Sequence, residues 1–170
     1  DKTVALDSDF KSHKRQPIQD CVDFIMKECD KAGALLEPRI SSANDYGRPD
    51  RTTALALKAR VLLYMASPLW NGGLTLKDKS GMDLSPSADA SRWKTAAVAA
   101  KEAIDQAESV GHKLHRSASN DPVTNYHEIF YVNFNDEVIF TRNDPGYLDI
   151  DSYSEPRGMT GALWPLQSPT

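Results

Sequence analysis

Residues 46–74, YGRPDRTTALALKARVLLYMASPLWNGGL, decide the fold of this chain. Between residues 54 and 66 the apolar side chains recur at helical spacing and form two stripes along one predicted helix. These stripes are Leu55, Ala59, Leu62 and Ala66, and Ala54, Leu57, Val61 and Met65. A helix that is apolar on two faces must be covered from two sides. The stretch therefore predicts the central helix of a helical assembly.

Two charged side chains, Lys58 and Arg60, interrupt the central helix. Because an unpaired buried charge is costly, we expect each to reach solvent or to pair with a carboxylate or carbonyl. Asp50 or Thr52 is expected to cap the start of the helix, and Pro68 with the glycines that follow is expected to end it.

The composition bounds the class of protein. The chain has 170 residues, a net charge of -4 and a pI of about 5.5, with 40% apolar and 26% charged residues. These values fit one globular domain and argue against a nucleic-acid partner. No apolar run is long enough for a transmembrane helix. The chain starts without Met and stops without a terminating element, so we expect residues 1–170 to be one partial domain of a longer protein.

Two amphipathic helices are predicted to flank the central one. The first begins near Pro17 and ends at Gly33 with a left-handed cap. The second begins near Arg92, presents a face of alanines with Trp93 in the core, and ends at Gly111. The starts of the three helices are spaced in a manner similar to tetratricopeptide repeats. Long loops, 37–50 and 71–88, separate them.

The fold class is therefore mostly α, with tetratricopeptide-like antiparallel helix pairs joined by long loops. We expect a helical scaffold over 17–111 and a mixed, irregular region over 112–170. That region is predicted to contain a short helix at 125–131, one short strand at 137–141 and an irregular C-terminal tail.

The two cysteines are predicted to be free thiols within one helix face. Cys21 and Cys29 lie eight residues apart, which separates them by about 12 Å along a helix axis. A disulfide needs Cα atoms within roughly 7 Å, so the two cannot pair with each other. We expect both to be buried.

Motifs for catalysis, metal binding and cofactor binding are missing. The run that begins at His127-Glu128 has Tyr131 where a zinc-protease helix needs its second histidine. His112 and His115 have no third ligand nearby in sequence and are predicted to be exposed loop residues. Residues 149–155 lack the glycine of a calcium loop. We predict no enzyme activity, no metal and no cofactor.

Aromatic residues beside amides are the remaining candidates for a binding site. Trp70 leaves the central helix next to Asn71, and Trp164 lies near Gln167, with Tyr153 in the preceding loop. Aromatic faces that stack on sugar rings, with amides nearby, form a common carbohydrate platform. The alternative is that each Trp fills the core at the end of an element.

Four segments resemble, in the same order, the SusD/RagB family of nutrient-binding lipoproteins of the gram-negative outer membrane. The segments are RQPIQDCVDFIMKECDKAGALLEP (15–38), YGR (46–48) with ALALKARVLLYMASPLWNGG (54–73), SRWKTAAVAAKEAID (91–105) and NDEVIF (135–140). The first departs from the family pattern by one residue, since Glu37 separates Leu36 from Pro38. The final Ser168-Pro169-Thr170 is similar to the start of a segment that continues in family members.

The resemblance implies a binding protein that holds an oligosaccharide or other nutrient at the cell surface. It implies delivery of that ligand to a TonB-dependent transporter of the SusC type, and membrane anchoring through a lipidated N-terminus that this sequence does not contain. Ligand contacts vary within the family, so none is transferred to this chain. Two alternatives remain, a tetratricopeptide-like adaptor without glycan binding and a glycan-active enzyme with paired carboxylates.

Overall fold

A computed structural model describes residues 14–42, 45, 47–132 and 135–141. The described residues form four α-helices: α1 (Ile18–Leu35), α2 (Arg51–Ala66), α3 (Arg92–Ser109) and α4 (Pro122–Tyr131). The chain divides into two units, 1–140 and 141–170, and the four helices lie in the first. The predicted mostly helical class is confirmed. The predicted C-terminal tail lies outside the described residues.

The central helix α2 packs against both α1 and α3, while α1 and α3 do not pack against each other. Alanines from α3 form most of its contact with α2, and their small side chains let the two backbones approach closely. The buried residues of α3 are Ala96, Ala99, Ala103 and Ala107. The arrangement is thus two helices laid along the sides of a third.

The prediction that Trp93 lies in the core is wrong, since Trp93 is 51% exposed. Successive helical residues are turned by about 100°, so Trp93 falls to the side of the face on which Ala96 and Ala103 lie. Ile104 shares the exposed side with it and is 52% exposed. The contact face of α3 is narrower than the sequence pattern predicts.

The start of α2 is fixed by Asp50, as predicted. Its carboxylate accepts hydrogen bonds from the backbone N–H of Thr53 at 2.8 Å and from the Thr53 hydroxyl at 2.8 Å. The Thr53 hydroxyl in turn accepts from the Asp50 backbone N–H, which completes a capping box. Asp50 is 3% exposed, so this cap is buried inside the fold.

The prediction that Gly33 ends α1 is wrong, because the helix continues to Leu35. A Cβ placed on Gly33 would lie 4.0 Å from side-chain carbons of Arg51 and Leu55. Gly33 is therefore a buried contact point where α1 crosses the start of α2. The expected role of Gly111 is confirmed, since it follows α3 with φ 89°.

Both cysteines are free, as predicted, but they differ in environment. Both lie in α1, but Cys29 is buried and Cys21 is exposed. The exposure of Cys21 contradicts the expectation that both are buried. Burial raises the pKa of the Cys29 thiol.

The strand predicted over 137–141 does not form in the described residues. The side-chain oxygen of Asn135 accepts hydrogen bonds from the backbone N–H of Glu137 at 3.1 Å and of Val138 at 3.0 Å. An Asn side chain that takes the place of a backbone partner favours a turn over a strand. A strand also needs a neighbouring strand, and none of the described segments pairs with this one.

Helix α4 begins earlier than the sequence pattern predicts, at Pro122 instead of residue 125. The carboxylate of Asp121 accepts a 2.8 Å hydrogen bond from the backbone N–H of Thr124. Asp followed by Pro at the first helical position is a typical helix start. The signal was present in the sequence at residues 121–122.

The connection between α2 and α3 closes on itself. Lys77 and Asp83 form an isolated antiparallel bridge, and the Asp78 carboxylate accepts from the backbone N–H of Ser80 and of Met82. Leu84, 6% exposed, is buried beneath this loop, and its carbonyl accepts a 3.0 Å hydrogen bond from the Ile18 backbone N–H. Pro86 is buried as well, so two apolar side chains anchor this largely polar loop.

Candidate functional site

Of the five residues predicted to bind a ligand, two lie in the described part of the chain. Trp70 and Asn71 follow the end of α2, after the C-cap residue Ser67. Tyr153, Trp164 and Gln167 lie outside the described residues. The structure therefore places Trp70 and Asn71 side by side and does not test whether the other three join them.

Trp70 is half-buried at a tight turn that its backbone contacts hold in place. Its backbone N–H donates to the Ser67 carbonyl at 3.1 Å, and its own carbonyl accepts from the Arg92 guanidinium at 3.4 Å. A Cβ on Gly73 would collide with the Pro68 carbonyl, so this turn requires glycine. Both backbone polar groups of Trp70 are thus hydrogen-bonded, which fixes the point from which the indole extends.

The Asn71 amide joins the two ends of the α2–α3 connection. Its nitrogen donates to the Asp89 carbonyl at 2.9 Å, and its oxygen accepts from the Asp89 backbone N–H at 2.6 Å. Both polar atoms of the amide are therefore already bonded to the backbone. Asn71 therefore holds the loop together next to Trp70, and its amide is not free to bind a ligand.

Trp93, on α3, is a second partly exposed indole that the sequence pattern assigned to the core. It lies on the first turn of α3 and makes no aromatic contact with other described residues. The protein therefore presents at least two Trp side chains to solvent from different elements.

A groove runs along α2 between α1 and α3. Because α1 and α3 each pack along α2 but not along each other, the space above α2 stays open. Its larger basin has a volume of about 860 Å³. The lining residues fall on all three helices, with Gly33 from α1, Leu55 from α2 and Gln106 from α3 among them. A volume of this size is in the range of small-molecule binding sites.

Lys58 lies between the two walls of the groove. Its ammonium nitrogen is 2.6 Å from the Asp30 carboxylate on α1 and 3.6 Å from the Glu102 carboxylate on α3. The Lys58 side chain is 19% exposed. The hydrogen bond to Asp30 raises the pKa of Lys58, so the side chain stays charged at neutral pH. The expectation that Lys58 is paired is confirmed, and the pair links both walls.

Arg51 lines the same basin at the start of α2. Its Nε donates a 2.7 Å hydrogen bond to the Gly33 carbonyl, close to the end of α1. The side chain is half-buried, and no carboxylate of the described residues pairs with it. The guanidinium is therefore held in one orientation with its two terminal amino groups available.

A smaller basin of about 400 Å³ lies at the other end of the groove. Arg92 crosses it, donating to the Gln19 amide oxygen at 2.9 Å as well as to the Trp70 carbonyl. Arg92 therefore connects α1, α3 and the turn that carries Trp70. Its guanidinium is occupied by uncharged oxygens of the protein.

The histidines after α3 are not exposed loop residues as predicted. His112 is buried, and its Nδ1 lies 2.9 Å from the Asp136 carbonyl. His115 is half-buried, with Nε2 2.6 Å from the Glu128 carboxylate. Within the described ranges, no three His, Cys, Asp or Glu side chains come together as a metal site requires. These contacts attach the 112–117 segment to α4 and to residues 135–137.

The outer face of α2, opposite the groove, carries exposed apolar side chains. Leu57, Leu63 and Tyr64 are 51%, 54% and 56% exposed. The Arg60 guanidinium lies 5.9 Å from the centre of the Tyr64 ring, an exposed cation–π contact. Arg60 thus reaches solvent, one of its two expected outcomes. The second predicted stripe is only partly buried.

Sequence reasoning missed Arg51 and Lys58 as parts of a cavity. Lys58 was noticeable as a charge inside an apolar helix, and that signal predicted a partner. Arg51 gave no signal, because a first-turn arginine is usually solvated. The groove itself depends on the distance between α1 and α3, which no local pattern encodes.

No protein-family model matches the chain, and no curated protein matches it. A solved structure described as "selenomethionine BT4246" is similar to it, with a TM-score of 0.53 and 33% sequence identity. The match covers 65% of this chain and 20% of that chain. The chain therefore spans about a fifth of the length of the solved protein that it resembles.

None of the described helices is both long and apolar enough to cross a lipid bilayer.

Proposed function

We propose that this chain is part of a SusD-like protein of the outer membrane. In this proposal the protein binds an oligosaccharide or another nutrient at the cell surface and passes it to a SusC-type TonB-dependent transporter. The support comes from the ordered resemblance of four segments to the SusD/RagB family. The helices α1, α2 and α3 each carry one of these segments.

The single observation that carries the ligand half of the proposal is the position of Trp70. Its ring is partly exposed at the mouth of a long polar loop, and its backbone is fixed by Ser67 and Arg92. An indole carried on a fixed backbone, with only two side-chain torsions, offers a stacking surface for a sugar ring at little cost in conformational entropy.

The outer face of α2 supports the transporter half of the proposal. Leu57, Leu63 and Tyr64 form an exposed apolar surface with Arg60 beside it. Aromatic residues and arginine are enriched at the centres of protein interfaces. In the proposed complex this face is the contact with the transporter, while the loop that holds Trp70 remains open to ligand.

A second candidate function is favoured by the groove between α1 and α3. A tetratricopeptide-like adaptor needs a concave surface with anchoring side chains, and the 860 Å³ basin with Arg51 supplies one. An adaptor would bind peptides and show no affinity for glycans.

The test is a glycan-array measurement on the whole protein, followed by calorimetry with the best ligand. Trp70→Ala is expected to weaken binding by roughly 10- to 100-fold, because the stacking surface is removed. Trp93→Ala is the control, since it removes a more exposed indole from a different element. Equal losses from both variants, or binding to peptides alone, would contradict the proposal.

A further inference from the structure

The turn after α2 requires Asn71 and Gly72 for different reasons. Gly72 has φ 88°, and a Cβ at this position would lie 2.7 Å from the Cβ of Ala88, so the turn requires glycine there. Asn71 contributes its amide, whose nitrogen donates to the Asp89 carbonyl and whose oxygen accepts from the Asp89 N–H. An amide offers a donor and an acceptor on two separate atoms, which neither serine nor aspartate does. We call this pair of hydrogen bonds the Asn71 clamp.

The same two residues form a chemically labile sequence. Asparagine is a thermolabile residue, and a following glycine makes it more so, because no side chain hinders attack by the next backbone nitrogen. In that reaction a bond forms between the Gly72 nitrogen and the Asn71 Cγ, and the bond from Cγ to Nδ2 breaks. Nδ2 leaves as ammonia with the proton that the attacking nitrogen loses. Water then opens the cyclic imide to give aspartate or isoaspartate, so water is the co-reactant.

The Asn71 clamp opposes this reaction. Ring closure moves Cγ onto the Gly72 nitrogen and expels Nδ2, so it requires the hydrogen bonds of 2.9 Å and 2.6 Å to Asp89 to break. The Arg92 guanidinium adds a further contact, 3.5 Å from the amide oxygen. The reaction therefore proceeds from an opened state of the α2–α3 connection. Asn71 is half-buried and Gly72 is exposed, so water is available once the connection opens.

Two anchors near the clamp set how often the connection opens. Leu84 is buried beneath the loop, and the Arg92 guanidinium donates to the Trp70 carbonyl. Loss of either anchor raises the population of the opened state. When opening and closing are fast, the rate of a slow reaction of the opened state follows that population.

We propose that Asn71 is a site of spontaneous covalent modification whose rate is set by opening of the α2–α3 connection. The clamp protects the amide while the connection is closed, and each opening exposes it to ring closure and loss of ammonia. Because the ammonia is lost to solvent, the modified fraction grows with the age of the protein. The inference does not depend on which ligand the protein binds.

Neither product restores the clamp. Aspartate keeps an oxygen for the Asp89 N–H but turns a second acceptor toward the Asp89 carbonyl, where the amide nitrogen donates. Isoaspartate adds one atom to the main chain of a turn in which a Cβ on Gly73 would already collide with the Pro68 carbonyl. Modification therefore weakens the closure of the connection next to Trp70.

The experiment follows Asn71 by mass-spectrometric peptide mapping while the whole protein is incubated in mildly alkaline buffer. The reference is the same protein unfolded in guanidinium chloride. Folded wild type is expected to react roughly 100-fold more slowly than the unfolded chain. Leu84→Ala should react roughly 5- to 30-fold faster than folded wild type, because it weakens the anchor beneath the loop. Arg92→Met should also react faster, and it keeps the test valid if circular dichroism shows that Leu84→Ala does not fold.

Leu76→Ala is the matched control. Leu76 lies in the same connection but is 41% exposed, so this variant should react at the wild-type rate. A second readout compares fresh and aged wild type by trypsin digestion, with cleavage after the exposed Lys77 and Lys79. The modified molecules should be cut first, since their connection is less firmly closed.

Three results would overturn the inference. The first is an Asn71 that reacts as fast in the folded protein as in the unfolded chain, because the clamp would then give no protection. The second is that neither Leu84→Ala nor Arg92→Met reacts faster than Leu76→Ala. The third is that trypsin cuts the modified and unmodified molecules at the same rate.

Discussion

The two connections that flank α2 are attached to the helices by different kinds of contact. The first connection, residues 36–50, is held by buried polar groups, of which Asp50 at 3% exposure and Thr52 at 0% lie deepest. The Thr52 hydroxyl donates to the Pro38 carbonyl at 3.3 Å. The second connection, residues 67–91, bonds largely to itself and is joined to the helices through buried Leu84 and through the Arg92 guanidinium, which donates to the Trp70 carbonyl.

This difference shows that the two connections have separate roles: the first holds the helices in position, and the second carries Trp70 at the surface. The first connection leads into Arg51 and sets the position of the groove, so its hydrogen bonds tie it to the helices. Arg39 extends that tie, since it donates to the Val110 carbonyl at 3.1 Å and to the Asp136 carboxylate at 3.0 Å. The second connection carries Trp70 and can vary in its outer part without disturbing the core.

The largest expected effect tests the fastening of the second connection. Leu84→Ala should lower the free energy of unfolding by about 2–4 kcal/mol, because a buried leucine leaves a cavity beneath the loop. Leu76→Ala, in the same loop but 41% exposed, is the control and should cost less than about 1 kcal/mol. Urea denaturation measures both. Equal costs would mean that the Asn71–Asp89 contacts, and not Leu84, hold this loop.

An intermediate effect is expected in the first connection. Asp50→Ala should lower the free energy of unfolding by about 1–2 kcal/mol, since it removes a buried helix cap and leaves the partly buried donors of Thr53 without their acceptor. Asp121→Ala removes the equivalent cap of α4 at an exposed site and should cost less. If the two substitutions cost the same in thermal and chemical denaturation, burial adds nothing to the cap and the contrast between the connections is weakened.

The smallest effect concerns pH. The Arg39 guanidinium, with Lys113 nearby, holds the pKa of Asp136 below its ordinary value of 3.8. A carboxyl whose pKa is lowered by folding stabilises the fold at higher pH and loses that contribution as the pH falls through the folded pKa. Asp136→Asn should therefore cost less than about 1 kcal/mol at pH 7, and the cost should vanish once the pH is low enough to protonate Asp136 in both the folded and the unfolded protein.

Denaturant titrations of the wild type and Asp136→Asn at neutral and acidic pH check this expectation. Asp105→Asn is the control, because its partner Lys101 lies on the same exposed helix surface. A difference between Asp136→Asn and wild type that persists unchanged at low pH would show that the Arg39 contact is not an ionic one.

Local patterns predicted the helices and their caps because those depend on neighbours in sequence. The start of α2 followed from the capping side chain of Asp50, and the end of α3 followed from the backbone freedom of Gly111. The strand at 137–141 was wrong because the hydrophobic pattern ignored Asn135, whose side chain bonds the backbone of the next residues. The prediction that Gly33 ends α1 was wrong because the role of this glycine is set by the crossing of α1 and α2.

The candidate site was predicted less completely than the fold. Aromatic chemistry identified Trp70 as a candidate ligand-binding residue. The amide of its neighbour Asn71, however, is bonded to the backbone. Trp93 was predicted to lie in the core but is exposed. The groove and its charges arise from three helices far apart in sequence.

Lys58 also sets a limit on how the groove can respond to its surroundings. The hydrogen bond to Asp30 raises the pKa of Lys58, so the ammonium stays charged at neutral and mildly alkaline pH and the division into two basins stays intact there. The Asp30 and Glu102 carboxylates are 58% and 52% exposed, so dissolved ions can screen them. Between neutral and mildly alkaline pH, the partition of the groove should therefore respond more to ionic strength than to proton concentration.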